Sequence, residues 1–244
     1  MRVYRGRSSR SGKLGYIDEF ISYSETKQRL LADEAERCEV TGKLVVPGLL
    51  ARCDLTGKRV LPSELEKSSV SGKSALKHCF VSSSISGVRM LQDEGIASAT
   101  GKYCLPQETR PCVWSGRRCH PEDLRTCELT HIPAHFEFMT TSGGIRFEPL
   151  VNLLNGLTRK TDIPESWSRI TARVAEMFDG RMQIHASMSS PNGQLLAVCV
   201  ETKNWLGLKT RQGGFLYAFR DRAPIGRIVL GKRGADGWAL EKVL

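Results

Sequence analysis

Residues 53–67 read C-D-L-T-G-K-R-V-L-P-S-E-L-E-K, and the architecture of the first half of the chain follows from this stretch. Its [Thr/Ser]-Gly centre recurs at intervals of 15, 15, 15, 14 and 15 residues. With one weaker copy on each side, at residues 23–37 and 127–141, the sequence contains eight units over residues 23–141. The central glycines are Gly42, Gly57, Gly72, Gly87, Gly101 and Gly116. Repetition at a nearly constant period predicts an array of small, similar structural units.

Each unit has the pattern of a small β-hairpin followed by one tight turn. Its first position holds Cys or a small residue, its third is apolar, and the glycine supplies the positive φ angle of the hairpin turn. In several units a proline and a nearby acidic residue then suit a short helical turn. A single hairpin is marginal, so we expect the hairpins to stack and bury their apolar positions. The first-position residues are Cys38, Cys53, Ser68, Ser83, Ala97, Cys112 and Cys127, and the third-position residues are Val40, Leu55, Val70, Ile85, Ala99, Trp114 and Leu129.

Residues 142–244 lack the repeat and show the pattern of an α+β domain. The segment 142–144, S-G-G, is typical of a linker. Apolar spacing predicts helices over residues 149–157 and 166–178. Alternating residues predict strands over 181–189, 194–201, 206–210, 214–220, 226–230 and 238–243, the first two joined at Pro191-Asn192-Gly193. The predicted fold class is α+β: a mostly β array of tandem hairpins, then an antiparallel meander of about five strands with both helices on one face.

The chain is basic, with a formal net charge of +10. This charge favours an acidic partner such as nucleic acid or an anionic surface, and a basic surface without a partner is the alternative. The sequence contains no run of about 18 apolar residues, so no membrane span is predicted. The N-terminus lacks the apolar core of a secretory signal. The eight cysteines therefore favour free thiols or metal ligands in the cytoplasm or another reducing compartment.

Residues 1–22 are predicted to form a basic N-terminal arm. The first 13 residues carry five basic side chains and no acid: Arg2, Arg5, Arg7, Arg10 and Lys13. We expect this segment to be mobile and to lie along a phosphate backbone. A solvated tail without a partner is the alternative.

A cluster of cysteines and histidines near the end of the array predicts a zinc site that would stabilise it. Pairing the hairpin around Ser115-Gly116 places Cys112 opposite Cys119, and tetrahedral zinc takes four nitrogen or sulfur ligands. The candidate ligands are Cys104, Cys112, Cys119, His120, Cys127 and His131, with His135 nearby. A second arrangement joins Cys38 and Cys53 to Cys112 and Cys127 around one ion. No C-x-x-C pair is present. The alternative is that Cys104 and Cys119 are core residues, because Val45, Val60 and Met90 hold the same position in other units.

The residue that follows the central glycine is basic in five units: Lys43, Lys58, Lys73, Lys102 and Arg117. In a stacked array these side chains would line up along one edge and form a track for phosphates. Turn lysines exposed only to solvent are the alternative. In the C-terminal half Phe215, Tyr217 and Phe219 alternate, which favours one buried face over a base-stacking surface.

The string C-x-[Val/Leu]-T-G-K, at residues 38–43 and 53–58, resembles the opening of a small bacterial large-subunit ribosomal protein that contacts rRNA. The resemblance covers six residues per copy and implies contact with RNA. No residue role is carried over from it.

These observations support three hypotheses of function. The first is a non-enzymatic nucleic-acid-binding protein or subunit that contacts the phosphate backbone through the arm and one edge of the array. The second is a protein-interaction scaffold, or an accessory subunit of a larger nucleic-acid-processing assembly. The third is a metal-dependent enzyme that uses the cluster between Cys104 and His135 and keeps an open coordination position. No catalytic motif and no small-molecule substrate are identified.

Overall fold

The computed structural model describes residues 5–22, 28–142, 144–158, 167–178, 182–203 and 210–244. In these ranges, twenty short strands pair as ten antiparallel hairpins and five longer strands form one antiparallel sheet. The chain divides into an N-terminal unit, Met1–Ile96 with Lys102–Pro106, and a C-terminal unit, Ala97–Gly101 with Gln107–Leu244. No helix in the described residues is long and apolar enough to cross a membrane.

The predicted repeat of a hairpin and a tight turn is confirmed. The hairpins pair β1 (Arg5–Arg7) with β2 (Leu14–Tyr16), β3 (Phe20–Ser22) with β4 (Arg29–Leu31), β5 (Glu36–Arg37) with β6 (Leu44–Val45), β7 (Ala51–Arg52) with β8 (Arg59–Val60), β9 (Leu65–Lys67) with β10 (Ser74–Leu76), β11 (Phe80–Ser82) with β12 (Arg89–Leu91), β13 (Ile96–Ala97) with β14 (Tyr103–Cys104), β15 (Arg110–Pro111) with β16 (Arg118–Cys119), β17 (Leu124–Thr126) with β18 (Pro133–His135), and β19 (Met139–Thr140) with β20 (Arg146–Phe147). Short 3-10 turns follow eight of them, at Ile17–Glu19, Ala32–Glu34, Pro62–Glu64, Lys77–Cys79, Gln92–Glu94, Pro106–Glu108, Pro121–Asp123 and Phe136–Phe138.

The hairpins extend beyond the predicted array at both ends. Residues 5–16 form a hairpin, in the segment for which the sequence predicts a mobile arm. Ser8 takes the buried first position there and Gly12 the turn, with φ +72°. The third position of this hairpin is Arg10. Because this position is apolar in the other units, the apolar pattern does not identify residues 5–16 as a repeat. At the other end β19 and β20 pair on either side of residues 142–144, which were predicted as a linker. The start of the weaker copy predicted at residues 23–37, including the Thr26-Lys27 pair in the place of its turn, lies outside the described residues.

Equivalent hydrogen bonds join successive hairpins within the N-terminal unit. The amide of the second position donates to a carbonyl about twenty residues later: Glu39 N to Arg59 O at 3.1 Å, and Asp54 N to Ser74 O at 2.8 Å. The central glycines all have φ between +69° and +81°, as predicted. Because turns and connections repeat, residues at one repeat position of this unit lie along one edge.

The expectation that third-position residues are buried is wrong for most hairpins. Val40, Leu55, Val70 and Ile85 are between 42 and 52% exposed. The third residue lies in the turn itself, at the tip of the hairpin, so stacking does not cover it. The core of the N-terminal unit contains first-position Cys38 and Cys53 together with second-strand residues such as Val60 and Ala75.

One hairpin departs from the predicted alignment. Ala97 was assigned to the first position, but Ala97 is exposed and Ser98 is buried. The Gly101 amide donates to Ser98 O at 3.0 Å, whereas in other hairpins the glycine bonds four residues back. The 14-residue interval is therefore accommodated by a shorter turn.

The C-terminal sheet has the predicted meander order. It runs β21 (Met182–Ser189), β22 (Leu195–Lys203), β23 (Thr210–Ala218), β24 (Ala223–Gly234) and β25 (Gly237–Val243), with α1 (Glu148–Leu154) and α2 (Trp167–Met177) packed against it. A separate strand predicted over 206–210 lies almost wholly outside the described residues.

The two helices cover opposite faces of this sheet, so the prediction that both pack on one face is wrong. Leu195, Ala197 and Cys199 of β22 share a core with α1. Leu196, Val198 and Val200 share a second core with α2. Residues 195–200, L-L-A-V-C-V, are apolar without interruption. A strand of this kind places apolar side chains on both faces, and both need cover.

Candidate nucleic-acid interface

The six predicted zinc ligands are not brought together as a ligand set. In the described residues, no three Cys, His, Asp or Glu side chains are placed to hold one metal ion. Cys119 pairs with Arg110 and not with Cys112, which corrects the predicted register. The Nδ1 atom of His120 accepts a hydrogen bond from Glu122 N at 3.1 Å. His131 is exposed and takes the place of the turn glycine, with φ +59°. The hypothesis of a metal-dependent enzyme gains no support from this placement.

Buried thiols instead act as acceptors that connect one hairpin to the next. The Cys112 Sγ accepts from His135 N at 3.2 Å, and the Cys127 Sγ accepts from Phe147 N at 3.3 Å. Cys104 is fully buried, in agreement with the core alternative. These contacts give the cysteines a structural role that needs no metal.

Serine fills the same position in other hairpins. The Ser68 Oγ accepts from Val70 N at 3.1 Å, and the Ser83 Oγ accepts from Ile85 N, also at 3.1 Å. Burial raises the pKa of Cys38, but hydrogen bonds from Thr41, Leu61 and Val40 outweigh it and lower the pKa to about 7. The repeated Cys and Ser residues therefore share one task, which is to accept backbone N–H groups of the turn.

This shared task predicts how substitutions at Cys53 behave. Cys53→Ala should lower the free energy of unfolding by about 1–3 kcal/mol, because the amides of Leu55, Thr56 and Leu76 lose a buried acceptor. Cys53→Ser keeps an acceptor and should cost less than about 1 kcal/mol. Urea unfolding of the two variants beside wild type measures both values. Equal losses for alanine and serine would contradict the assigned role.

The predicted row of turn residues is exposed in the N-terminal unit. We call Lys13, Lys43, Lys58, Lys73 and Lys102 the turn row, since each follows a central glycine. Arg117 occupies the same position in the C-terminal unit, where its Nη1 lies 3.8 Å from Oε1 of Glu137. In the first hairpin Arg5, Arg7 and Arg10 are also exposed. Arg2 lies outside the described residues.

A second row of basic residues was missed by the sequence analysis. Arg7, Arg37, Arg52 and Lys67 end the first strand of their hairpins, and all are exposed; we call them the strand-end row. The Arg52 Nη2 lies 3.5 Å from the point that a Cβ on Gly57 would occupy, and the Lys67 Cε lies 3.6 Å from that point on Gly72. Arg52 and Lys67 thus reach the turns that carry Lys58 and Lys73. The signal was present in the sequence, in the position just before each first-position residue.

Four acidic residues of the N-terminal unit are held in contacts between hairpins. Glu36 pairs with Arg59 at 2.7 Å and Glu66 with Arg89 at 3.0 Å. Asp54 accepts from Ser74 N at 2.6 Å. Burial raises the pKa of Glu94, but hydrogen bonds from Ser68, Ser71 and Leu91, with the charge of Lys73, lower it overall. At the positions of the turn row and the strand-end row, the described hairpins of this unit carry no acid.

In the C-terminal unit two hairpins pack against the sheet domain. Trp114 and Leu129, at the third position, are 2% and 6% exposed. The Trp114 ring contacts Phe147 edge to face, with centroids 5.1 Å apart. The Arg227 amide donates to Thr130 O at 2.9 Å, which ties a hairpin turn to the start of β24. The third position is therefore able to bury a large apolar side chain when another surface covers it.

Comparison with protein-family models finds no match, and comparisons with curated proteins and with solved structures find no significant one. The resemblance to a ribosomal protein stays confined to six residues per copy.

Proposed function

We propose that this protein is a non-enzymatic nucleic-acid-binding protein or subunit whose N-terminal unit holds a phosphate backbone without reading sequence. One observation carries the proposal: two basic rows share the turn edge of three consecutive hairpins, at residues 37–43, 52–58 and 67–73, and the described hairpins of this unit have no acid at either position. Lys and Arg side chains that neutralise phosphates release condensed counterions, and this release drives binding. Contacts to phosphates position a protein but carry no sequence information.

The distribution of acids supports this proposal. Glu36 and Glu66 pair with arginines, and Asp54 accepts a backbone amide. The charges of Glu36 and Glu66 are thereby partly compensated. Glu39 and Asp54 lie in the turns, where each accepts a backbone amide of the next hairpin. Lys43, Lys58 and Lys73 are exposed in the same set of turns, where a polyanion can reach them. The arginines of the strand-end row add planar donors suited to phosphate oxygens.

The test is the salt dependence of binding. In fluorescence-anisotropy titrations with a labelled single strand and a labelled duplex, the variant Lys43→Ala, Lys58→Ala, Lys73→Ala should bind at least about tenfold more weakly than wild type at low salt. The slope of log affinity against log salt should fall by about 2–3, which is 0.7–0.9 for each lost phosphate contact.

The matched control removes three exposed basic residues from other positions: Lys77→Ala, Arg220→Ala and Lys242→Ala. Its net charge equals that of the turn variant. If this control keeps the wild-type slope of log affinity against log salt, the loss of binding in the turn variant is assigned to the turn row. Equal losses in the two variants would indicate a non-specific charge effect and contradict the proposal. Wild-type affinity that does not change with salt would also contradict it.

Binding of a protein partner is a second candidate function. The observation that favours it is the packing of Trp114 and Leu129 against the sheet domain, because it shows third-position residues in contact with another fold element. A stoichiometric protein that copurifies with the full chain, and that is lost from a third-position variant, would support this candidate over the first.

A further inference from the structure

The N-terminal unit carries an apolar ladder at its turn tips. We give this name to Val40, Leu55, Val70 and Ile85, the third-position residues of four consecutive hairpins. They are 46, 42, 50 and 52% exposed. Each lies two residues after a buried Cys or Ser that anchors the turn, so the ladder is held on a rigid frame. Single exposed apolar residues are common, but a repeated set on one edge marks an interaction surface.

The charges beside the ladder differ from those beside its covered equivalents. Val40, Leu55 and Val70 each have a basic residue three positions before and three positions after, from the strand-end row and the turn row. Trp114 and Leu129 are buried against the sheet domain. The residues three positions before them are Pro111 and Thr126, which are uncharged. Ile85 has Ser82 and Val88 at these two positions, so the added positive charge accompanies three of the four ladder residues. The ligand of these three tips should be both anionic and partly apolar.

The exposure of the turns restricts the class of ligand further. Nearly every residue of the turns 39–43, 54–58 and 69–73 is exposed, as expected for tips that project from the fold. Partner helices with one apolar face usually lie in grooves, whereas the ladder residues lie on exposed turns. A single nucleic-acid strand adapts to projecting side chains, because its unpaired bases turn freely and its phosphates follow a basic track.

We propose that the N-terminal unit prefers single-stranded nucleic acid, with unpaired bases on the apolar ladder and phosphates on the two basic rows. This inference rests on the proposed function and names its substrate class. In a duplex the base faces are stacked inside the helix and only phosphates, sugars and base edges are presented. The ladder then gains nothing from a duplex, and only the basic rows contribute to its binding.

The test compares full-length variants against a labelled oligothymidylate and a labelled mixed-sequence duplex over the same series of salt concentrations. Wild type should bind the single strand at least about tenfold more tightly than the duplex. The ladder variant Val40→Ser, Leu55→Ser, Val70→Ser should lose most of that preference and keep its duplex affinity and its salt slope. A second variant, Leu55→Tyr, places an aromatic ring on an exposed tip, so it should fold and bind the single strand several-fold more tightly.

Each outcome separates this inference from the proposed function. If wild type binds the single strand and the duplex with equal affinity, the ladder has no role, while phosphate binding stands. The same holds if the ladder variant and the Leu55→Tyr variant both bind like wild type. Absence of binding to either probe at low salt would overturn the proposed function itself. A third probe, an acidic amphipathic helical peptide, tests a protein partner as the occupant. If the ladder variant loses binding of this peptide but binds oligothymidylate like wild type, the inference is overturned in favour of a protein partner.

Discussion

Replacing Trp114 by alanine is expected to lower the free energy of unfolding by about 3–5 kcal/mol, the usual cost of removing a buried aromatic side chain. Trp114 is 2% exposed, and its ring packs edge to face on Phe147 in the core that α1 shares with the sheet. The loss combines the transfer of the indole to water with the cavity that remains. Urea unfolding followed by far-UV circular dichroism measures it without depending on tryptophan fluorescence.

The control for Trp114→Ala uses two leucines at the same repeat position. Leu129→Ala should cost about 2–5 kcal/mol, since Leu129 is buried in the same core. Leu55→Ala should change the free energy of unfolding by less than about 0.5 kcal/mol, because Leu55 is 42% exposed. Similar losses for the two leucines would contradict the finding that the third position is covered only in the C-terminal unit.

Gly226→Ala is expected to loosen the contact between the ninth hairpin and the sheet. Gly226 has φ +68°, and a Cβ there would lie 2.3 Å from the backbone oxygen of Thr130. That oxygen accepts the Arg227 amide, so the clash displaces backbone that no rotamer change can move. We expect a loss of about 1–3 kcal/mol from the clash, in addition to about 1–2 kcal/mol for the left-handed conformation. Hydrogen exchange of the Arg227 amide should accelerate.

Gly193→Ala is the matched control for this substitution. Gly193 has the same φ, +68°, but nothing lies within 4 Å of its added Cβ. It should therefore show only the conformational cost of about 1–2 kcal/mol. The difference between the two variants isolates the contact with Thr130. Equal losses of unfolding free energy in the two variants would mean that the backbone at Gly226 shifts to make room for the added Cβ.

One repeat position serves two purposes in this protein. In the C-terminal unit Trp114 and Leu129 build the core, while in the N-terminal unit Val40, Leu55 and Val70 stay exposed between basic residues. The buried first position is the common support, since Cys or Ser there holds the turn in either setting. A repeat fold thus separates its scaffold from its surface, and the tips are free to differ between hairpins.

Much of the candidate interface could be read from the sequence. The turn row follows from the period of the repeat, because the residue after each central glycine has the same place in every hairpin. The strand-end row was equally periodic but was not recognised, since Arg37, Arg52 and Lys67 carry no turn signal of their own. The zinc prediction found no ligand set in the described residues, where the Sγ atoms of Cys112 and Cys127 each accept a backbone amide of the next hairpin.

The sequence by itself determined the hairpin unit, its positive-φ glycine, the 3-10 turn and the five-stranded meander. These features depend on residues within one hairpin or one pair of strands, where backbone preferences and alternation decide the outcome. Only the tertiary structure decided that residues 5–16 belong to the array, that α1 and α2 take opposite faces of the sheet, and which third-position residues are covered. Those outcomes depend on contacts between segments far apart in the chain, and burial there is set by what packs against a residue and not by its own pattern.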